Sequence, residues 1–114
     1  MNKKLEEAIA EFRCTNKPVK LISKTLGVKK DDIEKIIKHW IIHTNLYIED
    51  LIKNRKTKNN PSIDDMLKLV KTDSKELVKN GQILDYIARN RNNHHDRFMD
   101  CIRYKIYNML ENKK

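Results

Sequence analysis

Apolar residues along this chain recur at spacings of three and four, the period of an α-helix with one buried face. Over residues 3–12, Leu5, Ala8, Ile9 and Phe12 predict a short amphipathic helix that ends near Asn16 and Pro18. Residues 19–26 form a compact apolar stretch closed by Gly27, which predicts a short helix capped by that glycine. The longest pattern covers residues 30–55. Asp31 and Asp32 open it, negative charge at the positive end of a helix dipole. Ile33, Ile36, Ile37, Trp40, Ile41, Thr44, Tyr47, Ile48, Leu51 and Ile52 then follow at helical spacing. At 100° per residue they cover an arc of roughly 160°. Ile42 and Leu46 fall outside that arc. A helix of about 35 Å, at 1.5 Å per residue, with apolar residues on two sides needs something packed against both.

Residues 53–60 are a polar, basic connector ended by Pro61. Ser62, with Asp65 three residues on, has the layout of a helix start, and Ile63, Met66, Leu67 and Val70 predict a short amphipathic helix behind it. Residues 72–81 are polar with a weak helical pattern; Ile83, Leu84, Ile87 and Ala88 make another short apolar segment. After a polar break at 90–96, Phe98, Cys101, Ile102, Ile106, Met109 and Leu110 share one face of a final helix over 97–110. That stripe can fold back on the domain or dock on another subunit. Folding back is the expectation, because the break lets the chain reverse and an exposed stripe invites aggregation.

Composition narrows the class. With two glycines and two prolines in 114 residues there is almost no turn chemistry for a β-sandwich, a barrel or a Gly-rich phosphate cradle. The chain is expected to be all-α. Charged residues at 36 % and hydrophobic ones at 39 % permit a modest core but no large enclosed active site. The net charge of +9 suits a polyanionic or acidic partner, although part of it follows the general richness in Lys, Asn and Ile. Residues 1–7 do not form a secretory signal, and no apolar run approaches the ~20 residues that span a bilayer. No membrane association is expected. Cys14 and Cys101 are far apart and form no CxxC pair, so they are read as unbridged, small apolar core residues in a reducing interior compartment.

Catalytic chemistry finds little support. Asp64 and Asp65 adjoin at a helix start, where one caps and the other faces water. No acid, base or nucleophile accompanies a cleft, so no catalytic residue, cofactor or small-molecule substrate is expected. His39 and His43 have the spacing zinc sites can use, but no third ligand is local, and no metal is expected. His94 and His95 are adjacent and read as solvent-facing.

A short helix, a turn, a long central helix, a basic turn and a short helix make the layout of a histone fold, with extra N- and C-terminal helices here. Three segments strengthen the likeness: Lys20 to Val28, ending in Leu26-Gly27-Val28; Asn60-Pro61-Ser62-Ile63-Asp64-Asp65-Met66; and Ile83-Leu84-Asp85-Tyr86-Ile87-Ala88-Arg89-Asn90 with Arg91 and Asn92. Together they resemble the histone-fold domain of the TBP-associated factor nine family, subunits of TFIID and SAGA-type coactivators. The resemblance divides the chain into an N-terminal helix at 1–16, a histone fold at 17–92 and a basic amphipathic helix at 93–114. It implies a non-enzymatic, nuclear, architectural subunit of an RNA polymerase II transcription complex. Its partner would be a complementary histone fold like TBP-associated factor six. Ile22, Leu26, Ile36, Ile37, Trp40, Ile41, Tyr47, Ile48, Leu51, Ile63, Met66 and Leu67 would form the heterodimer interface. Lys29, Lys30, Lys53, Arg55, Lys56 and Lys58 would be the residues placed for sequence-blind contact with a DNA backbone.

A second class fits the same residues. Leu21 to Val28 followed by Asp31 to Ile37 matches a helix-turn-helix with Gly27 in the turn, the module of a homodimeric DNA-binding regulator. Against it stands the length of the second helix, which runs on through Trp40 to Ile52 and points Glu34, Lys38 and Glu49 outward.

Overall fold

A computed structural model describes residues 2–54 and 82–112, and every regular element among these residues is a helix. In chain order they are α1 (Lys3–Cys14), α2 (Val19–Leu26), α3 (Lys30–Asn54), α4 (Gln82–Asn90) and α5 (Arg97–Asn112). The all-α expectation holds. The expected helix around Ile63, Met66, Leu67 and Val70 lies outside the described residues, as does the basic connector.

Local chemistry sets the helix ends. The Asn2 side chain accepts from the Lys4 and Leu5 amides at 3.0 and 3.4 Å and starts α1. At the other end Asn16 takes a left-handed φ of 64°, and the Lys17 amide reaches back to the Phe12 carbonyl at 2.9 Å. This is the turn geometry that satisfies the last carbonyls of a helix, with asparagine in the place glycine usually takes. Gly27 ends α2 at φ 66°, its amide donating to the Ser23 carbonyl, as the sequence leads one to expect. Asp96 caps α5, accepting from the Met99 amide at 2.8 Å while its other oxygen accepts from the Tyr86 hydroxyl.

The core is one spine with two clusters. The first half of α3 carries Ile33, Ile36, Ile37 and Trp40 into contact with Ile9 and Ala10 of α1 and Ile22 of α2. The second half carries Ile48 and Leu51 against Ile87 of α4 and Phe98, Met99, Cys101, Ile102 and Ile106 of α5. The last helix therefore folds back, with Phe98, Cys101, Ile102 and Ile106 buried and Met109 and Leu110 half-buried. Neither α1 nor α5 is an appendage, since they pack against each other and α5 also packs along α3.

One expectation is overturned. Cys14 and Cys101 are not separate apolar residues; they form a disulfide between α1 and α5, with their Cα atoms 4.9 Å apart. The sequence separation of 87 residues hides this, because only the packing of the first helix on the last makes the two thiols neighbours. The inference of a reducing compartment rested on unpaired cysteines, and that ground is gone. Cross-linking so long a loop restricts the unfolded chain by roughly 4–5 kcal/mol on the chain-entropy scale. Reduction with dithiothreitol, or the Cys14→Ser/Cys101→Ser double substitution, is expected to lower the free energy of unfolding by a few kcal/mol. Urea melts with and without reductant measure it; coincident melts would contradict the expectation.

Candidate functional site

The most sharply built surface feature surrounds the junction of α2 and α3. Gly27 turns the chain, the Ser23 hydroxyl donates to the Val28 carbonyl at 2.6 Å, and the Asp32 and Ile33 amides donate to the Lys29 carbonyl as α3 begins. Beneath the turn, Ile22 packs in the same cluster as Ile33, Ile36 and Ile37, fixing α2 against the start of α3. Above it, Lys20, Lys24, Lys29 and Lys30 are all exposed. Asp31 and Asp32 are also exposed and reduce the local positive charge without reversing it. Rigid backbone below and cations above form a surface suited to phosphate oxygens. Lys53, expected in the same contact, is exposed at the far end of α3, about 36 Å from Lys29 at the helical rise. Within one chain it belongs to another surface. Arg55, Lys56 and Lys58 lie outside the described residues.

Between α1 and α5 sits a polar group that the periodicity does not reveal. Arg13, Asp100 and Arg103 are buried together, at 4 %, 0 % and 1 % exposure. Arg13 Nε donates to Asp100 Oδ2 at 2.9 Å and its Nη2 stands 2.8 Å from the same oxygen, while Arg103 Nη1 donates to Oδ1 at 3.1 Å. The remaining guanidinium hydrogens serve backbone: Arg13 donates to the carbonyls of Lys17 and His95, Arg103 to that of Arg91. Two loops are held this way, the one after α1 and the one before α5. Burial pushes the Asp100 carboxyl up and the two guanidiniums pull it back; burial likewise lowers Arg103. A signal was present in the sequence. Glu6, Ile9, Ala10 and Arg13 share one helical face, which sets both charged residues among core positions, and all four are buried.

Glu6 answers a second buried group, accepting from Trp40 Nε1 at 3.1 Å. Nearby, His39 and His43 stand with ring centroids 4.1 Å apart, and His39 Nε2 lies 3.1 Å from the Tyr107 hydroxyl. Burial and the neighbouring His43 lower the His39 pKa, and Glu6 and Glu111 oppose the shift. Among the described residues no group of three or more His, Cys, Asp or Glu side chains is arranged to hold a metal ion. His94 and His95 are exposed. An open groove of about 450 Å³ between α1 and α5 is lined by Glu7, Glu11, Cys14, Tyr104 and Lys105 among others. It brings no nucleophile and base together.

The residues expected at a heterodimer interface divide into three groups. Ile22, Ile36, Ile37, Trp40, Ile48 and Leu51 are already covered by the chain's own helices. Leu26, Ile41 and Tyr47 are half-buried at the edges of those clusters. Ile63, Met66 and Leu67 lie outside the described residues. The exposed apolar residues of α3 are instead Ile42 and Leu46, which the heterodimer set did not include. No family model, curated protein or solved structure matches the chain.

Two outcomes follow from this geometry. Asp100→Ala leaves two buried guanidiniums without their counter-ion and is expected to cost about 3–5 kcal/mol of stability; chemical denaturation against the parent chain measures it. Because the folded state holds the His39 pKa below the ordinary 6.5, the unfolded chain takes up the proton more readily. Stability is expected to be full above pH 6.5 and to fall as the pH drops through that value. His39→Gln should remove part of that dependence in thermal melts taken between pH 8 and pH 5.

Proposed function

We propose that the chain is a DNA-binding module in which α2, the Gly27 turn and the first turn of α3 form a helix-turn-helix. The observation that carries this reading is the junction itself: two helices joined by a three-residue turn with glycine in it, locked by the Ser23–Val28 bond and flanked by exposed lysines. The length of α3, which speaks against a recognition helix, has a separate explanation in the packing. Residues beyond Thr44 serve the second core cluster with α4 and α5, so the helix is long because it is also the spine. Only its N-terminal residues need reach a groove. Lys20, Lys24, Lys29 and Lys30 would contact phosphates, which gives affinity and orientation but no sequence preference.

A histone-fold subunit resembling TBP-associated factor nine, paired with a factor-six-like partner in a nuclear transcription complex, is the second reading. It is favoured by the apolar surface that α3 still exposes at Ile42 and Leu46. Most of the long helix, however, needs no second chain to cover it.

Fluorescence anisotropy with a duplex of mixed sequence separates the two. The helix-turn-helix reading expects binding by the purified chain alone, weakening steeply as salt rises. Replacing Lys20, Lys24, Lys29 and Lys30 by alanine should make the slope of log affinity against log salt shallower by about one per lysine. Absence of binding at low salt, together with co-purification of a stoichiometric histone-fold protein from native cells, would transfer the proposal to the second reading.

A further inference from the structure

Leu46 is 80 % exposed and Ile42 63 % exposed, one turn apart on the same side of α3. Most other large apolar side chains of this helix are buried or half-buried. At 100° per residue the pair sits in the middle of a stripe that also holds Lys35, His39, Glu49 and Lys53, with Lys38 on one flank and Asp50 on the other. The stripe is electrically lopsided. Lys35 and Lys53 stand at its two ends, and between them Lys38 lies on the N-terminal side of the apolar pair while Glu49 and Asp50 lie on the C-terminal side.

We propose that this stripe is a homodimer interface, on which a second copy of the chain lays its own α3 antiparallel. The charge pattern selects both the partner and the direction. A parallel copy would set Glu49 of each helix against Asp50 of the other; an antiparallel copy sets these carboxylates against Lys38 and His39 instead. Along α3, Ile42 and Leu46 are equidistant from Thr44, as are Lys38 and Asp50, and as are His39 and Glu49. A two-fold axis level with Thr44 therefore brings Ile42 onto Leu46 of the second copy. The same axis keeps each flank on its own side. Lys38 and Glu49 share one flank, so Lys38 comes within a turn of Glu49 of the second copy. Asp50 of the second copy comes beside His39 on the other.

Such self-complementarity is what a closed two-fold pair requires, since every contact is made twice by one patch. Glu49 already pairs with Arg91 at 3.1 Å, and both side chains remain more than a third exposed, so Lys38 of a second copy can join that pair. Lys35 faces Lys53 of the second copy at each end of the stripe, a like-charge contact that opposes the pairing and is weakened there by water and salt. Lys20, Lys24, Lys29 and Lys30 lie outside the pairing stripe. The dimer does not depend on the DNA-binding reading, and it is measured with no nucleic acid present.

Sedimentation equilibrium of the full chain tests it. The parent chain is expected to show a reversible monomer–dimer equilibrium. Leu46→Glu, a substitution at an exposed helical position that leaves the helical circular dichroism unchanged, should abolish the dimer. Lys38→Glu should weaken dimerisation at least several-fold by placing acid against Glu49. The Lys38→Glu/Glu49→Lys/Arg91→Glu triple variant should restore it, because it reverses the pair between copies and keeps an opposite charge beside position 49 within each copy. A parent chain that stays monomeric at every accessible concentration would overturn the proposal, whatever else covers the stripe. A Leu46→Glu chain that still dimerises would overturn it too, as would a charge swap that fails to restore what Lys38→Glu lost.

Discussion

Arg13 and Cys14 at the end of α1 meet Asp100 and Cys101 at the start of α5, and the rest of the molecule is arranged around that junction. One residue of each pair supplies a charge and the next supplies a sulfur. The disulfide limits how far the two helices can separate. The ion pair fixes their relative orientation, because a buried carboxylate held by two guanidiniums at 2.8 to 3.1 Å tolerates little displacement. Its net contribution to stability is smaller than its geometry implies, since stripping water from three charged groups offsets much of the attraction. What it secures is a unique arrangement of the two loops whose carbonyls it binds.

Those loops are the ones that bracket α2 on one side and α5 on the other. Arg97 extends the connection, donating to the Asn16 carbonyl at 2.6 Å, so the turn before α2 is tied to the first turn of α5. α2 is short, at eight residues, and such a helix is unstable in isolation. Its position depends on Ile22 being held in the α1–α3 cluster and on the turn that precedes it. The lysine-bearing surface at the α2–α3 junction is thus tied, through the turn before α2, to the contact between α1 and α5.

α3 has a different role along each part of its length. Its buried side runs through both clusters, its first turn contributes to the basic surface, and its outer face carries Ile42 and Leu46. A helix loaded in this way has more apolar surface than one neighbour can cover. The chain supplies cover from α1, α2, α4 and α5 and leaves the stripe around Ile42 and Leu46 open among the described residues. An intermolecular contact on that stripe and a nucleic-acid contact at the first turn are compatible because they use different turns of the same helix.

By itself the sequence determined the helices and their ends. The three-to-four periodicity marks α1, α2, α3 and α5, Gly27 marks the turn, and Ile42 and Leu46 stand apart from the main apolar face by their spacing alone. These are properties of residues within one or two turns of each other, and local spacing reports them. Which helix covers which face is not legible in that way. Trp40, Ile48 and Leu51 read as residues awaiting a second chain, because periodicity shows that a face is apolar without showing what buries it. Cys14 and Cys101 read as unrelated because 87 residues separate them. Arg13 shows no partner along the chain, because its counter-ion Asp100 stands on the other terminal helix; of the two partners of Asp100 only Arg103, three residues on, is within reach of local spacing. Only the tertiary structure decided these, since a disulfide and a buried ion pair depend on distances across space that residue spacing along the chain does not encode.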